Sequence, residues 1–192
     1  MFCQYHGVES LLVDKSMKKL ILFVTTLVVF AFAANAQDYG SDSIVLIQSA
    51  DLQAGKTVPS DVRFVASGQP DEAMLQAISA AGFSTVVDMR SAKEDRGFDE
   101  QKEIERLGMA YVLLPIGSAD DITLDNAAVL DQILAENEGP VLLHCASGNR
   151  VGALYALREK MHGASNDDAL AVGKAAGMTR LEKVVRERLD SE

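Results

Sequence analysis

After residue 61, short apolar runs alternate with longer stretches in which apolar residues recur every three or four positions. Val62–Ser67, Thr85–Met89, Ala110–Leu114 and Val141–His144 are near-continuous apolar runs of strand length. Between them, Met74, Leu75 and Ile78 share one face of a helix opened by Pro70-Asp71 and stopped at Gly82. An acidic helix spans Gly97 to Leu107, and Ala127, Leu130, Ile133 and Leu134 line a third over Leu124 to Glu136. Gly139-Pro140 breaks that helix. Beyond the last strand, Val151–Met161 is helical, Asn166 can cap a further helix, and Thr179 with Glu182 predicts a capping box for the last one. Strands that are apolar throughout, rather than alternating, are covered on both faces. The expected fold is therefore α/β: a mostly parallel sheet of four to five strands with helices on both sides.

The N-terminal part has a different texture. Met17-Lys18-Lys19 is a short basic start, Leu20 to Ala33 an uncharged, largely apolar run, and Ala34-Asn35-Ala36 a small-x-small pattern. This is the layout of a secretory signal peptide over 17–36. The run is shorter than the about 20 residues of a spanning helix, so no stable membrane span is expected after cleavage, and the location expected is periplasmic or secreted. Residues 1–16 read as a gene-model extension, 37–61 as a polar lead-in holding one edge strand, and 62–192 as the main domain.

Charge and cysteine content narrow the chemistry. From Gln37 onward there are 15 basic and 26 acidic residues, a formal charge of −11, and no basic stripe. Nucleic acid is not expected as a partner. Cys145 is the only cysteine of that segment. An exported chain pairs its cysteines or avoids them, so a lone one is either inert and buried or kept for chemistry. With one Cys and two His, neither His at ligand spacing with carboxylates, no metal or other cofactor is expected.

Cys145 opens "CASGNR", which joins the last strand to a helix. Loop amides of Ala146, Ser147, Gly148 and Asn149 can turn inward as an anion nest, backed by the helix N-terminus. Gly148 permits a sharp turn, and Arg150 can lay its planar fork over an anion. In that field a cysteine ionises readily and becomes a nucleophile. In a parallel sheet the other strand ends lie on the same side, which adds Asp88, Arg90, Asp120 and Asp121. Arg90 reads as an ion-pair partner of Glu94, and His162 as a helix-end dipole contact.

His144-Cys145, Gly148 and Arg150-Val151-Gly152 resemble the signature loop of the cysteine-dependent protein tyrosine and dual-specificity phosphatases. "ASGQPD" (66–71), "VVDMR" (86–90) and "YVLLPI" (111–116) are similar, more narrowly, to the phosphatase-like domain of beta-lactamase-hydrolase-like proteins. The resemblance runs from Val62 to Met161. It implies Cys145 as nucleophile, Arg150 as oxyanion binder, His144 as a supporting group, and Asp120 or Asp121 as general acid. The substrate implied is small and anionic or phosphorylated. Two departures keep a second reaction open. Four residues separate Cys145 from Arg150 where the phosphatase loop has five, a spacing common in rhodanese-type sulfurtransferases. Val151 stands where phosphatases carry Ser or Thr. The alternative is a persulfide on Cys145, with a sulfur donor and a thiol acceptor as partners. A non-catalytic anion- or partner-binding module is the third reading.

Overall fold

The computed structural model describes residues 43–191; the readings of 1–16 as an extension and 17–36 as a signal peptide lie outside these residues. Five strands form one parallel sheet: β1 (Ile44–Leu46), β2 (Phe64–Ser67), β3 (Thr85–Asp88), β4 (Ala110–Leu113) and β5 (Val141–His144), in the order β1-β2-β5-β3-β4. The helices are α1 (Ser49–Gln53), α2 (Glu72–Ala80), α3 (Glu100–Arg106), α4 (Leu124–Glu136), α5 (Asn149–Met161), α6 (Asn166–Ala175) and α7 (Glu182–Leu189). The α/β reading holds.

Side chains alternate across a strand, which divides the core in two. Phe64, Ala66, Val87, Met89, Val141, Leu143 and Cys145 pack with α4, α5, α6 and α7. Val65, Val86 and Leu142 pack on the other face with Met74, Leu75 and Ile78 of α2 and Ile104 of α3. Complete burial of β2, β3 and β5 explains their unbroken apolar sequence. The last strand in the sequence is the central one in space, inserted between β2 and β3. Its carboxyl end therefore opens into the crevice where chain connections diverge.

Several local expectations shift. The lead-in contributes β1, paired in register with β2 from Ile44↔Phe64 to Leu46↔Ala66, followed by the short α1, which the sequence pattern did not signal. The acidic helix begins at Glu100 rather than Gly97, because the Asp99 carboxylate caps it by accepting from the Lys102 amide. Ser165, not Asn166, caps α6. The capping box at Thr179 does not form. Thr179 gives its amide and hydroxyl to the Asn149 side chain, and α7 starts behind Leu181 without a side-chain cap.

Helices α5 and α6 touch backbone to backbone. A Cβ on Gly152 would lie 2.3 Å from the Gly173 carbonyl and 2.4 Å from the Met178 nitrogen. This contact seats the helix whose N-terminus carries the cysteine loop.

Candidate active site

The cysteine loop grows from the center of the sheet. Cys145 follows β5, and the loop closes on Gly148, the N-cap of α5, at φ +86°. That left-handed backbone belongs to glycine, since a Cβ would strain it and press on Leu46. The turn brings the Gly148 amide 3.2 Å from the Cys145 sulfur, which is 1% exposed. The amide at this helix start points its partial positive charge at the sulfur. Ala146 and Ser147 are exposed. The outer side of the loop is tied to β2 by a bridge between Gly68 and Ser147 and by the Gln69 amide on the Ala146 carbonyl.

Arg150 gathers three strand ends. Its Nη1 and Nη2 donate to Glu94 Oε1 and Oε2, both at 2.7 Å, in a fork-to-fork pair. Nη1 also donates to the carbonyls of Ile116, at 2.8 Å, and Met89. Glu94 and the facing Cys145 sulfur hold the guanidinium charge above its ordinary range. Arg150 in turn keeps the Glu94 carboxyl well below the usual carboxylate range. Arg90 donates to Glu94 at 3.2 Å, as the sequence spacing suggested, and also to Gln69 and the Asp95 carbonyl. Glu94 is thus shared by two arginines, a role its spacing to Arg90 alone did not show.

Other candidates separate on contact. Asp121 Oδ2 accepts from the Gly117 and Ser118 amides, each at 2.8 Å, and so closes the short 3₁₀ turn Ala119–Asp121. Asp120, on the same turn, is exposed, and its carboxylate makes no hydrogen bond among the described residues. The Asn149 side chain points away from the loop's mouth and accepts from Thr179 and Leu181. That side chain is a structural lock between the start of α5 and the segment before α7. Val151 is fully buried against the core. His162 ends α5 and meets Asp131 at 2.8 Å.

His144 lies on the opposite face of the sheet from the Cys145 sulfur, and the register places Asp88 directly beside it. The start of α3 adds Glu100. Asp88, Glu100 and His144 are all buried, with ligand atoms within 4.8 Å of one another. Sequence spacing did not reveal this grouping, because the three residues come from three elements. The carboxylates already receive a cation. Arg96 donates to Asp88 Oδ2 at 2.6 Å and lies 3.4 Å from Glu100, while Tyr111 donates to Asp88 at 2.8 Å. A metal would have to displace that guanidinium, so the donor set fits a proton better than a metal. Burial and the neighboring Asp88 push Glu100 up to about 7. Burial pushes His144 down to about 4.

A cysteine loop and arginine at the end of the central strand of a parallel sheet, wrapped by helices, define an α/β domain of the tyrosine and dual-specificity phosphatase type. The chain belongs to the family described as DSP-PTPase phosphatase fused to NAD+ kinase, which matches residues 41–188. It is 34% identical over 112 residues to a beta-lactamase hydrolase-like protein of Agrobacterium fabrum, covering 56% of this chain and 26% of that one. It is 33% identical over 127 residues to a Xylella fastidiosa protein of the same description, covering 64% and 29%. The chain thus spans less than a third of either relative. A putative phosphatase of Neisseria meningitidis superposes with a TM-score of 0.59 at 27% identity, over 70% of this chain and 96% of that one. P. aeruginosa TpbA, solved in complex with pTyr, shares the fold at a TM-score of 0.54 and 18% identity, over 70% and 86%.

Proposed function

We propose that the chain is a cysteine-dependent phosphatase acting on small phosphorylated substrates. The observation that carries this reading is the Cys145 sulfur facing the Gly148 amide, with Arg150 clamped beside it by Glu94. The Cys145 thiolate attacks phosphorus, forming an S–P bond as the P–O bond to the leaving group breaks. Arg150 and the loop amides take up charge on the equatorial oxygens. Asp120 gives its proton to the departing oxygen, a role its free carboxylate supports and the engaged carboxylate of Asp121 does not. Water then cleaves the S–P bond and returns inorganic phosphate.

The four-residue spacing and the buried Val151 favour a second reading, persulfide transfer from a sulfane donor to a thiol. One experiment separates the two. The chain and its Cys145→Ser variant are offered an aryl phosphate and, separately, thiosulfate with a thiol acceptor. Phosphate release that disappears in the variant supports the first reading. A persulfide on Cys145 without phosphate release overturns it in favour of the second, and activity unchanged in the variant removes both.

A further inference from the structure

The group beneath the cysteine loop has a property that the phosphatase reading does not use. Neither ring nitrogen of His144 makes a well-formed hydrogen bond, and Glu100 Oε2 has none either. All of these atoms are buried, and His144 Nε2 lies 3.4 Å from Glu100 Oε1 and 3.7 Å from Asp88 Oδ1. Buried polar atoms left without partners are costly. Glu100 Oε1 already accepts from the Gln69 side-chain amide, so a proton held between Oε1 and His144 Nε2 supplies the imidazole with the partner it lacks.

The charges around the group point the same way. On the β3–α3 segment stand Arg90, Glu94 and Arg96; Asp88 ends β3, Tyr111 lies on β4, and Cys145 and Arg150 flank the loop after β5. Arg90 and Arg150 are ion-paired with Glu94, and Arg96 is shared between Asp88, at close range, and Glu100, at 3.4 Å. A Cys145 thiolate is the third anion against these three cations. An ionised Glu100 would be a fourth, in a site too buried to dilute it.

We propose that Glu100 and His144 hold one proton between them beneath Cys145, and that Glu100 is the positioning residue that sets the upper pH limit of oxyanion binding in the loop above. This rests on the anion-cradle reading of Cys145 to Arg150. Between the acid limit of His144, about 4, and that of Glu100, about 7, the pair is neutral and the proton sits on the carboxyl. Above that range the proton leaves, a buried negative charge appears behind β5, and the loop holds an anion less well. Asp88 keeps its partners Arg96, Tyr111 and the Arg90 amide, so it does not replace the lost proton.

The test uses the Cys145→Ser variant, in which the thiol no longer titrates, and sulfate, which stays a dianion across the range. Calorimetry at about pH 6 and about pH 8.5 is expected to show sulfate binding weaken by about 3- to 10-fold, the scale of one linked proton. With Glu100→Gln added, the affinity should be the same at both. Equal slopes in the two proteins, or no slope in the first, overturn the proposal. Absence of sulfate binding at every pH overturns the cradle reading instead. A direct measurement covers the case in which the double variant does not fold. In the unsubstituted chain one glutamate carboxyl carbon resonance should titrate near neutral pH, and if all titrate in the ordinary acidic range, the shared proton does not exist.

Discussion

Arg150 and Glu94 meet through two parallel hydrogen bonds of 2.7 Å, from residues 56 positions apart in the sequence. The pair fixes the plane of the guanidinium before any anion arrives. Glu94→Gln removes one acceptor oxygen and the charge, leaving Arg150 held chiefly through Nη1 by the Ile116 and Met89 carbonyls, with Nη2 no longer fixed by a carboxylate. A misplacement of about 1 Å at a reacting center costs about 100-fold in rate. Phosphate release by Glu94→Gln should therefore fall by about that factor, most of it in kcat. Steady-state kinetics on an aryl phosphate checks this, and a change confined to KM would place Glu94 outside the positioning of Arg150.

Asp120 and Asp121 are neighbors with different employment. Asp120→Asn should lower turnover of an alkyl phosphate, whose leaving oxygen needs a proton, by about 10²- to 10⁴-fold. An activated aryl phosphate should be affected far less. Asp121→Asn should affect both substrates alike, with a stability loss of about 1 kcal/mol from the weakened cap. Paired kinetics on the two substrates, with denaturant unfolding of both variants, distinguishes the roles. The reverse pattern would make Asp121 the acid.

The cysteine loop was legible because strand, loop and helix are consecutive: "VLLHCASGNR" carries its own apolar run, turn glycine and helix start. The Arg90–Glu94 pair was legible for the same reason, at one helical turn of spacing. What could not be read is what the register assembles. His144 meets Asp88 through pairing of β5 with β3, and Glu100 through the packing of α3, and no sequence interval encodes either. Asn149 illustrates the converse. Its place in the loop suggests a substrate contact, but its side chain is spent on Thr179, thirty residues on, which also removes the expected cap of α7.

Glu100 gives stability an unusual pH dependence. Its folded value, about 7, lies above the ordinary 4.5, so between these limits the folded chain keeps a proton that the unfolded chain has released. Stability from this group is full below about pH 4.5, falls as pH rises through the window and stays reduced above it. A shift of that size corresponds to about 3 kcal/mol. Glu100→Gln keeps an acceptor for the Gln69 amide, which donates to Glu100 Oε1 at 2.8 Å, and carries no charge to lose. Relative to the unsubstituted chain it should gain up to that amount at pH 8 and little at pH 5. His144 costs stability in acid, but equally in both proteins, so the difference isolates Glu100. Urea midpoints at the two pH values check this, and an equal loss at both would mean that Glu100 is ionised throughout.

Gly152 is the residue on which the seating of α5 depends most directly. The obstacles to a side chain there are the Gly173 carbonyl and the Met178 backbone, neither of which can rotate away as a flexible side chain would. Gly152→Ala improves helix propensity by about 1 kcal/mol in an open helix. Here the added methyl must push α5 from α6, and overpacking of this kind costs about 1–3 kcal/mol. The close contact should win, giving net destabilisation. Because Gly148 and Asn149 sit at the same end of α5, the displacement also reaches the cysteine loop, and phosphate release should drop even where the variant remains folded. Gly163→Ala is the control. It faces open space but at φ +92°, so it should cost only its backbone strain and leave activity intact. Thermal unfolding and activity of the two variants side by side check the argument. An active, undiminished Gly152→Ala protein would show that α5 can shift without carrying the loop with it.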